Sequence, residues 1–147
     1  MAALTDGRYI VVWENENGGI EGRFVDADGS PTGAAFTIAN NAGNNDDARV
    51  AALADGGFIV TWDTDGGVIA PEDGTDYAVL ARRFDNTCAP AGDLLLVNTG
   101  DPATSQFYPA VATDTATGRA FIAWEDNHSY SGAGQDNAPS GVRGPPS

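Results

Sequence analysis

The 147-residue chain has no lysine, one cysteine, one histidine and one methionine. A single cysteine excludes an intramolecular disulfide and any zinc site built from several thiolates. Cys88 falls in a turn and has no histidine near it in sequence, so no nucleophile pair is suggested. His128 stands alone in a polar stretch. No apolar run approaches the roughly 20 residues that a membrane helix needs, so membrane insertion is not expected. No segment keeps an apolar stripe of period 3.6 over three turns, which predicts no substantial helix. With lysine absent, 7 Arg face 16 Asp and 5 Glu, and the net charge is −14. Such a surface repels nucleic acid and anionic lipid, and neither is an expected partner. The acidity suits the solvated surface of a secreted or salt-adapted protein, or sites for a divalent cation. Apolar residues make up 41%, too many for a chain disordered by composition.

What the chain does have is a segment written three times. Ala3-Leu4-Thr5-Asp6-Gly7-Arg8-Tyr9-Ile10-Val11-Val12-Trp13-Glu14 returns as Ala52-Leu53-Ala54-Asp55-Gly56-Gly57-Phe58-Ile59-Val60-Thr61-Trp62-Asp63. A looser copy is Thr117-Gly118-Arg119-Ala120-Phe121-Ile122-Ala123-Trp124-Glu125. The match continues beyond the tryptophan. Ile20 to Gly33 aligns position for position with Val79 to Gly92, and Phe36 to Ala39 with Leu95 to Asn98. The tryptophans are 49 and then 62 residues apart, and the extra length lies mainly in the loop from Gly67 to Tyr77. A self-similar unit of about 50 residues signals an array of supersecondary units, none able to bury its apolar surface alone. The expectation is one β-repeat domain over 1–147, with units of about 1–46, 47–106 and 107–147, the last incomplete. Met1-Ala2-Ala3 opens directly into the first repeat, without a signal peptide. A mature region, a fragment of a longer exported chain and a cytosolic protein all fit that start.

Each core strand is apolar on both faces. Tyr9, Val11 and Trp13 alternate with Ile10 and Val12; Phe58, Val60 and Trp62 alternate with Ile59 and Thr61. Ala120, Ile122 and Trp124 alternate with Phe121 and Ala123. A strand with one wet face alternates apolar and polar, so these strands are expected to be covered on both sides, in sheets stacked face to face. Asp-Gly, Gly-Gly and Gly-x-Pro-x-Gly punctuate the strand ends. Each unit supplies about four short strands: a lead-in such as Ala48 to Leu53, the tryptophan strand, a strand ending in Arg-Arg-Phe-Asp, and a short outer strand such as Leu94 to Asn98. The fold class expected is all-β, with antiparallel β-propeller-like blades and just under three repeats of about 50 residues. The pattern Ala-x-Leu-x-Asp-Gly-Gly-Phe-Ile-Val-x-Trp, followed by Ala-Arg-Arg-Phe-Asp, resembles the propeller-type repeats of large secreted bacterial surface and adhesin-like proteins. The resemblance runs from about Ala2 to Gly144. It implies an extracellular or cell-surface location, and neighbouring adhesin or calcium-binding regions. Pro145-Pro146 stands where the pattern expects Arg-Arg-Phe-Asp.

Among residues able to carry chemistry, the acids come first. Asp26 and Asp28 are spaced as in a calcium loop, but the remaining ligands of an EF-hand are missing, and a tight turn is the simpler reading. Asp63, Asp65, Asp73 and Asp76, with Glu72 among them, make the better calcium candidate. The tryptophans read as packing between blades, or alternatively as platforms for a sugar ring. Arg23, Arg82 and Arg83 are expected to pair with acids. No Ser/His/Asp spacing, phosphate-cradling glycine loop, cofactor fingerprint or sialidase-type Asp-box occurs, and no carboxylate pair is singled out for hydrolysis. An enzyme is therefore not expected. The function expected is a non-catalytic structural, adhesive or interaction module; the alternative is a glycan-binding, lectin-like oligomeric propeller whose partner is carbohydrate. Rings close with about four to eight blades. A chain supplying fewer should form a homo-oligomer, most simply a dimer, or belong to a longer chain.

Overall fold

Strands apolar on both faces can be stable only between two other layers, and that constraint organises the molecule. The computed structural model describes residues 1–40, 43–65, 77–98, 105–127 and 142–143, with Asn127 and the last two described by backbone only. The protein is all-β, and no helix occurs among the described residues. The first sheet holds β1 (Ala2–Ala3), β2 (Tyr9–Glu14), β3 (Ile20–Val25) and β4 (Pro31–Ala39), paired in chain order. The second holds β5 (Asn45–Ala52), β6 (Phe58–Thr64), β7 (Ala78–Phe84) and β8 (Leu95–Leu96), in the same order. The third holds β9 (Ser105–Asp114), β10 (Arg119–Asn127) and β11 (Val142–Arg143), again in order. Among the described residues every pairing is antiparallel, and no ladder joins one sheet to another. The lead-in of the first repeat is the short β1, in which Ala2 and Ala3 pair with Ile10 and Tyr9.

The repeat seen in sequence is the register of the sheets. Tyr9 faces Val25 and Glu14 faces Ile20 in the first sheet; their counterparts Phe58 and Phe84, and Asp63 and Val79, face each other in the second. The hairpin turns repeat as well. Gly7 and Gly56 take φ of 90° and 91°, the left-handed region where a Cβ is disfavoured. At the next turn Gly29 (φ 88°) is replaced by Cys88 (φ 72°), and each donates its N–H to the aspartate that opens its turn, Asp26 or Asp85. Cys88 thus adopts a glycine conformation.

Two clusters of buried side chains fill the spaces between sheets. In the first, Ile10, Ile20, Phe24 and Ile38 of the first sheet meet Phe58, Val60, Trp62, Leu80 and Phe84 of the second. In the second, Ile59, Val79 and Ala81 on the other face of the second sheet meet Ala120 and Ile122 of the third, with Trp124 packed alongside. The stacking is head-to-tail: the tryptophan face of each sheet receives the opposite face of the sheet before it. Trp62 is accordingly 1% exposed. Val11 and Trp13 depart from the expected core. They are only half-buried, because the tryptophan face of the first sheet has no sheet before it. Phe121, on the opposite face of the third sheet, is 42% exposed for the corresponding reason.

Lead-in strands contribute Ala2, Ala48, Val50 and Ala52 to the first cluster and Ala51 and Val111 to the second, and Phe24, Phe36, Phe58 and Phe84 gather between the first two sheets with ring centroids 5.2–6.3 Å apart. β1 lies against β5, and β5 against β9. Gly57 marks how tightly the hairpins meet: a Cβ there would lie 2.2 Å from the Phe84 carbonyl oxygen. Gly57→Ala is expected to destabilise the fold by about 3 kcal/mol in urea titration, the upper range for overpacking. Gly92→Ala, whose methyl meets nothing within 4 Å, should leave the midpoint unchanged.

Candidate functional site

The acids that follow the first two tryptophans have a task the sequence did not announce. In β5 and β9 the pairing with the tryptophan strand slips by a bulge, between Asp46 and Arg49 in one and opposite Ala123 and Glu125 in the other. The bulged residues, Asp47 and Tyr108, take left-handed φ of 53° and 52°, and a bulge leaves backbone groups without ladder partners. Glu14 Oε1 accepts the Asp47 N–H at 2.8 Å, and Asp63 Oδ2 accepts the Tyr108 N–H at 3.0 Å. Each bond ties one sheet to the next. Glu125, the third counterpart, is exposed.

A second pair of ties involves buried amides. Asn45, fully buried, accepts from Trp62 Nε1 at 3.1 Å and donates to the Gly18 carbonyl at 2.7 Å. Gln106, 1% exposed, accepts from Asn98 at 2.6 Å, and Asn98 in turn accepts the Val79 N–H at 2.7 Å. Buried amides with partners are specifying rather than costly. Asn45, Gln106, Glu14 and Asp47 all escaped the sequence reading. The signal that points to them is internal: Asn45 and Gln106 hold the same place at the start of the lead-in strands β5 and β9, and Glu14, Asp63 and Glu125 the same place after tryptophan.

Glu14, Asp46, Asp47, Asp63 and Asp65 gather where the first two sheets meet and act on one another electrostatically. Burial raises the Asp46 carboxyl, with help from Glu14, Asp47 and Asp65. Burial pushes Asp63 up from 3.8 to about 6, against the lowering effect of the Tyr108 N–H and with further raising from Asp47, Asp46 and Glu14. Of the expected calcium ligands, Asp63 is 2% exposed and bonded to Tyr108. Asp65 accepts the Asn44 N–H at 2.6 Å and the Asn44 side-chain amide at 3.1 Å. Asp73 and Asp76, with Glu72 and His128, lie outside the described residues. Among the described residues no group of three or more His, Cys, Asp or Glu is arranged to hold a metal ion. Asp26 and Asp28 stand in a hairpin turn, where Asp28 accepts the Ser30 N–H at 2.9 Å. Arg83 lies 3.8 Å from Asp55; Arg23 donates to the Gly33 carbonyl instead of an acid; and Arg82 Nε is buried with no partner among the described residues.

The tryptophans are not exposed platforms. Trp62 is sealed between sheets, and Trp13 and Trp124 are half-buried. Exposed aromatic surface occurs elsewhere. A cavity of about 310 Å³ is lined by Phe107, Tyr108, Glu125 and Asp126. Tyr108 is 59% exposed there, and the Phe107 ring lies 4.7 Å from Tyr77 and 6.0 Å from Tyr108. No family model, curated protein or solved structure matches this chain.

A carboxyl whose pKa rises from 3.8 to about 6 on folding binds its proton more tightly in the native state. Asp63 therefore makes stability fall as pH rises from about 4 to about 6, with the loss complete above 6. Asp6, Asp28, Asp85 and Asp114 are shifted the other way by hydrogen bonds from their own turns, so their effect lies below pH 4. Asp63→Asn keeps an acceptor for the Tyr108 N–H. It is expected to raise the melting temperature at pH 7, leave it nearly unchanged at pH 4, and flatten the downward slope between them to the part that Asp46, also raised by burial, still contributes.

Proposed function

We propose that this chain is a non-catalytic β-repeat module of an exported bacterial surface protein, with a structural, adhesive or interaction role, and that its sheets are blades of a propeller-like stack. The observation that carries this reading is the use of the repeat-equivalent residues. Trp62 and Asp63, the residues most open to a functional interpretation, serve the stack instead: Trp62 bonds Asn45 of its own sheet, which reaches the Gly18 carbonyl of the first sheet, and Asp63 bonds Tyr108 of the third. Asp63 has a pKa near the range of a general acid, but at 2% exposure it is not presented to a substrate. The face-to-face packing of three repeat sheets in chain order supports a stack of blades. A charge of −14 without lysine supports an exposed, well-hydrated surface. Antibody against the chain should label intact producing cells as strongly as permeabilised ones; staining that requires permeabilisation overturns the surface location.

A second reading, carbohydrate binding, is favoured by the cavity at Tyr108. An exposed ring can stack on a sugar face while Glu125 and Asp126 accept hydroxyl hydrogens. On a glycan array, the wild-type chain binding a glycan and Tyr108→Ala losing at least tenfold in signal would establish that reading. Retention of no glycan by the wild type leaves the module alone.

A further inference from the structure

The two ends of the stack carry the two halves of an interface that the chain already builds twice. The opposite face of the first sheet, with Ile10 opposite Ala2, fits the tryptophan face of the second. The opposite face of the second sheet, with Ile59 opposite Ala51, fits the tryptophan face of the third. The third sheet repeats the donor face: Phe121 is opposite Ala112 and Ala123 opposite Ala110, but Phe121, Ala112 and Ala110 are exposed. The first sheet repeats the receiving face in Tyr9, Val11 and Trp13, which are only half-buried where Phe58, Val60 and Trp62 are sealed.

We infer that the outer face of the third sheet docks on the outer face of the first sheet of a second copy, head-to-tail, in the geometry of the two internal interfaces. A second copy is the occupant because it presents the repeat-matched face that each end lacks. A polar contact supports the same docking. Arg8 reaches from the first sheet to the turn of the second, donating from Nη2 to the Asn86 carbonyl at 2.8 Å. Arg119 is the counterpart of Arg8 on the third sheet, and Ala27 the counterpart of Asn86 on the first. Arg119 of one copy therefore meets the Asp26-Ala27-Asp28 turn of the other, a cation against two carboxylates. The interface is heterologous, using different surfaces on each copy, so it closes a ring or continues as a filament according to its rotation. Two copies carry six sheets, within the range of closed rings.

Complementary charge blocks test the mode. Wild type should sediment as a dimer or larger at about 20 μM. Phe121→Glu and Val11→Glu, each at an outer face and each with an unchanged circular dichroism spectrum, should be monomers alone. Mixed in equal amounts they should form a dimer, because each retains the face that the other has lost. Arg119→Glu should weaken wild-type association on the order of tenfold, and Asp26→Arg in the same chain should restore it. A monomeric wild type, a Phe121→Glu protein that still associates, or a mixture that stays monomeric overturns the inference. Persistent association of Phe121→Glu alone indicates instead a symmetric contact between two first sheets.

Discussion

A strand that is apolar on both sides has to be sandwiched, and the second sheet is the one that achieves this fully. Every residue of its tryptophan strand, Phe58 to Thr64, is buried. One face packs on the first sheet and the other on the third, so both outer sheets owe their position to the middle one. Burying side chains of this size is worth roughly 1.5–3 kcal/mol each, more than the three surface ion pairs found among the described residues can contribute. Packing, not charge, decides the stack.

Polar groups inside that packing set its direction. Thr61 sits in the sealed strand, and its hydroxyl donates to the Leu80 carbonyl at 2.8 Å. Trp62 turns its N–H to Asn45, which joins it to the preceding hairpin loop, while Asp63 reaches forward to the bulge of the following sheet. One strand is thus tied backward through its tryptophan and forward through its acid. Asp63 carries a cost for this at neutral pH, since burial opposes its ionisation. A stack whose middle strand is tied in both directions in this way can be extended by adding units without redesigning any of them.

Much of this was legible in the residues. The position-for-position match of Ile20–Gly33 with Val79–Gly92 fixed the hairpin register, because the side-chain period of two forbids a slip of one residue. The glycine-for-cysteine exchange at the turn was visible too, though not that Cys88 would keep the glycine conformation. Apolar patterning marked both faces of each strand as fit for burial; it could not say that Tyr9, Val11 and Trp13 head the stack and so remain half-covered, since position in an array is a property of neighbours. The acids were harder. Sequence spacing treats Asp63 as one of a cluster facing solvent, whereas its environment depends on a bulge in β9, 45 residues away. The bulge is a backbone event, and Tyr108 gives no residue-level hint of a left-handed φ. Asn45 and Gln106 were not singled out in the sequence, because the groups that occupy them, Trp62 and Gly18 for one and Asn98 for the other, are brought to them only by the fold.

Native-state hydrogen exchange tests the central claim, that the doubly covered second sheet holds the other two in place. Amides of Ile59, Val60 and Thr61 are expected to exchange only through global unfolding, at the free energy given by denaturant titration, while those of β4 and the edge of β9 exchange through smaller openings. If the amides of β6 exchange as fast as those of β2 and β10, the three sheets are independently stable units, and the account of a stack organised by its middle member is wrong.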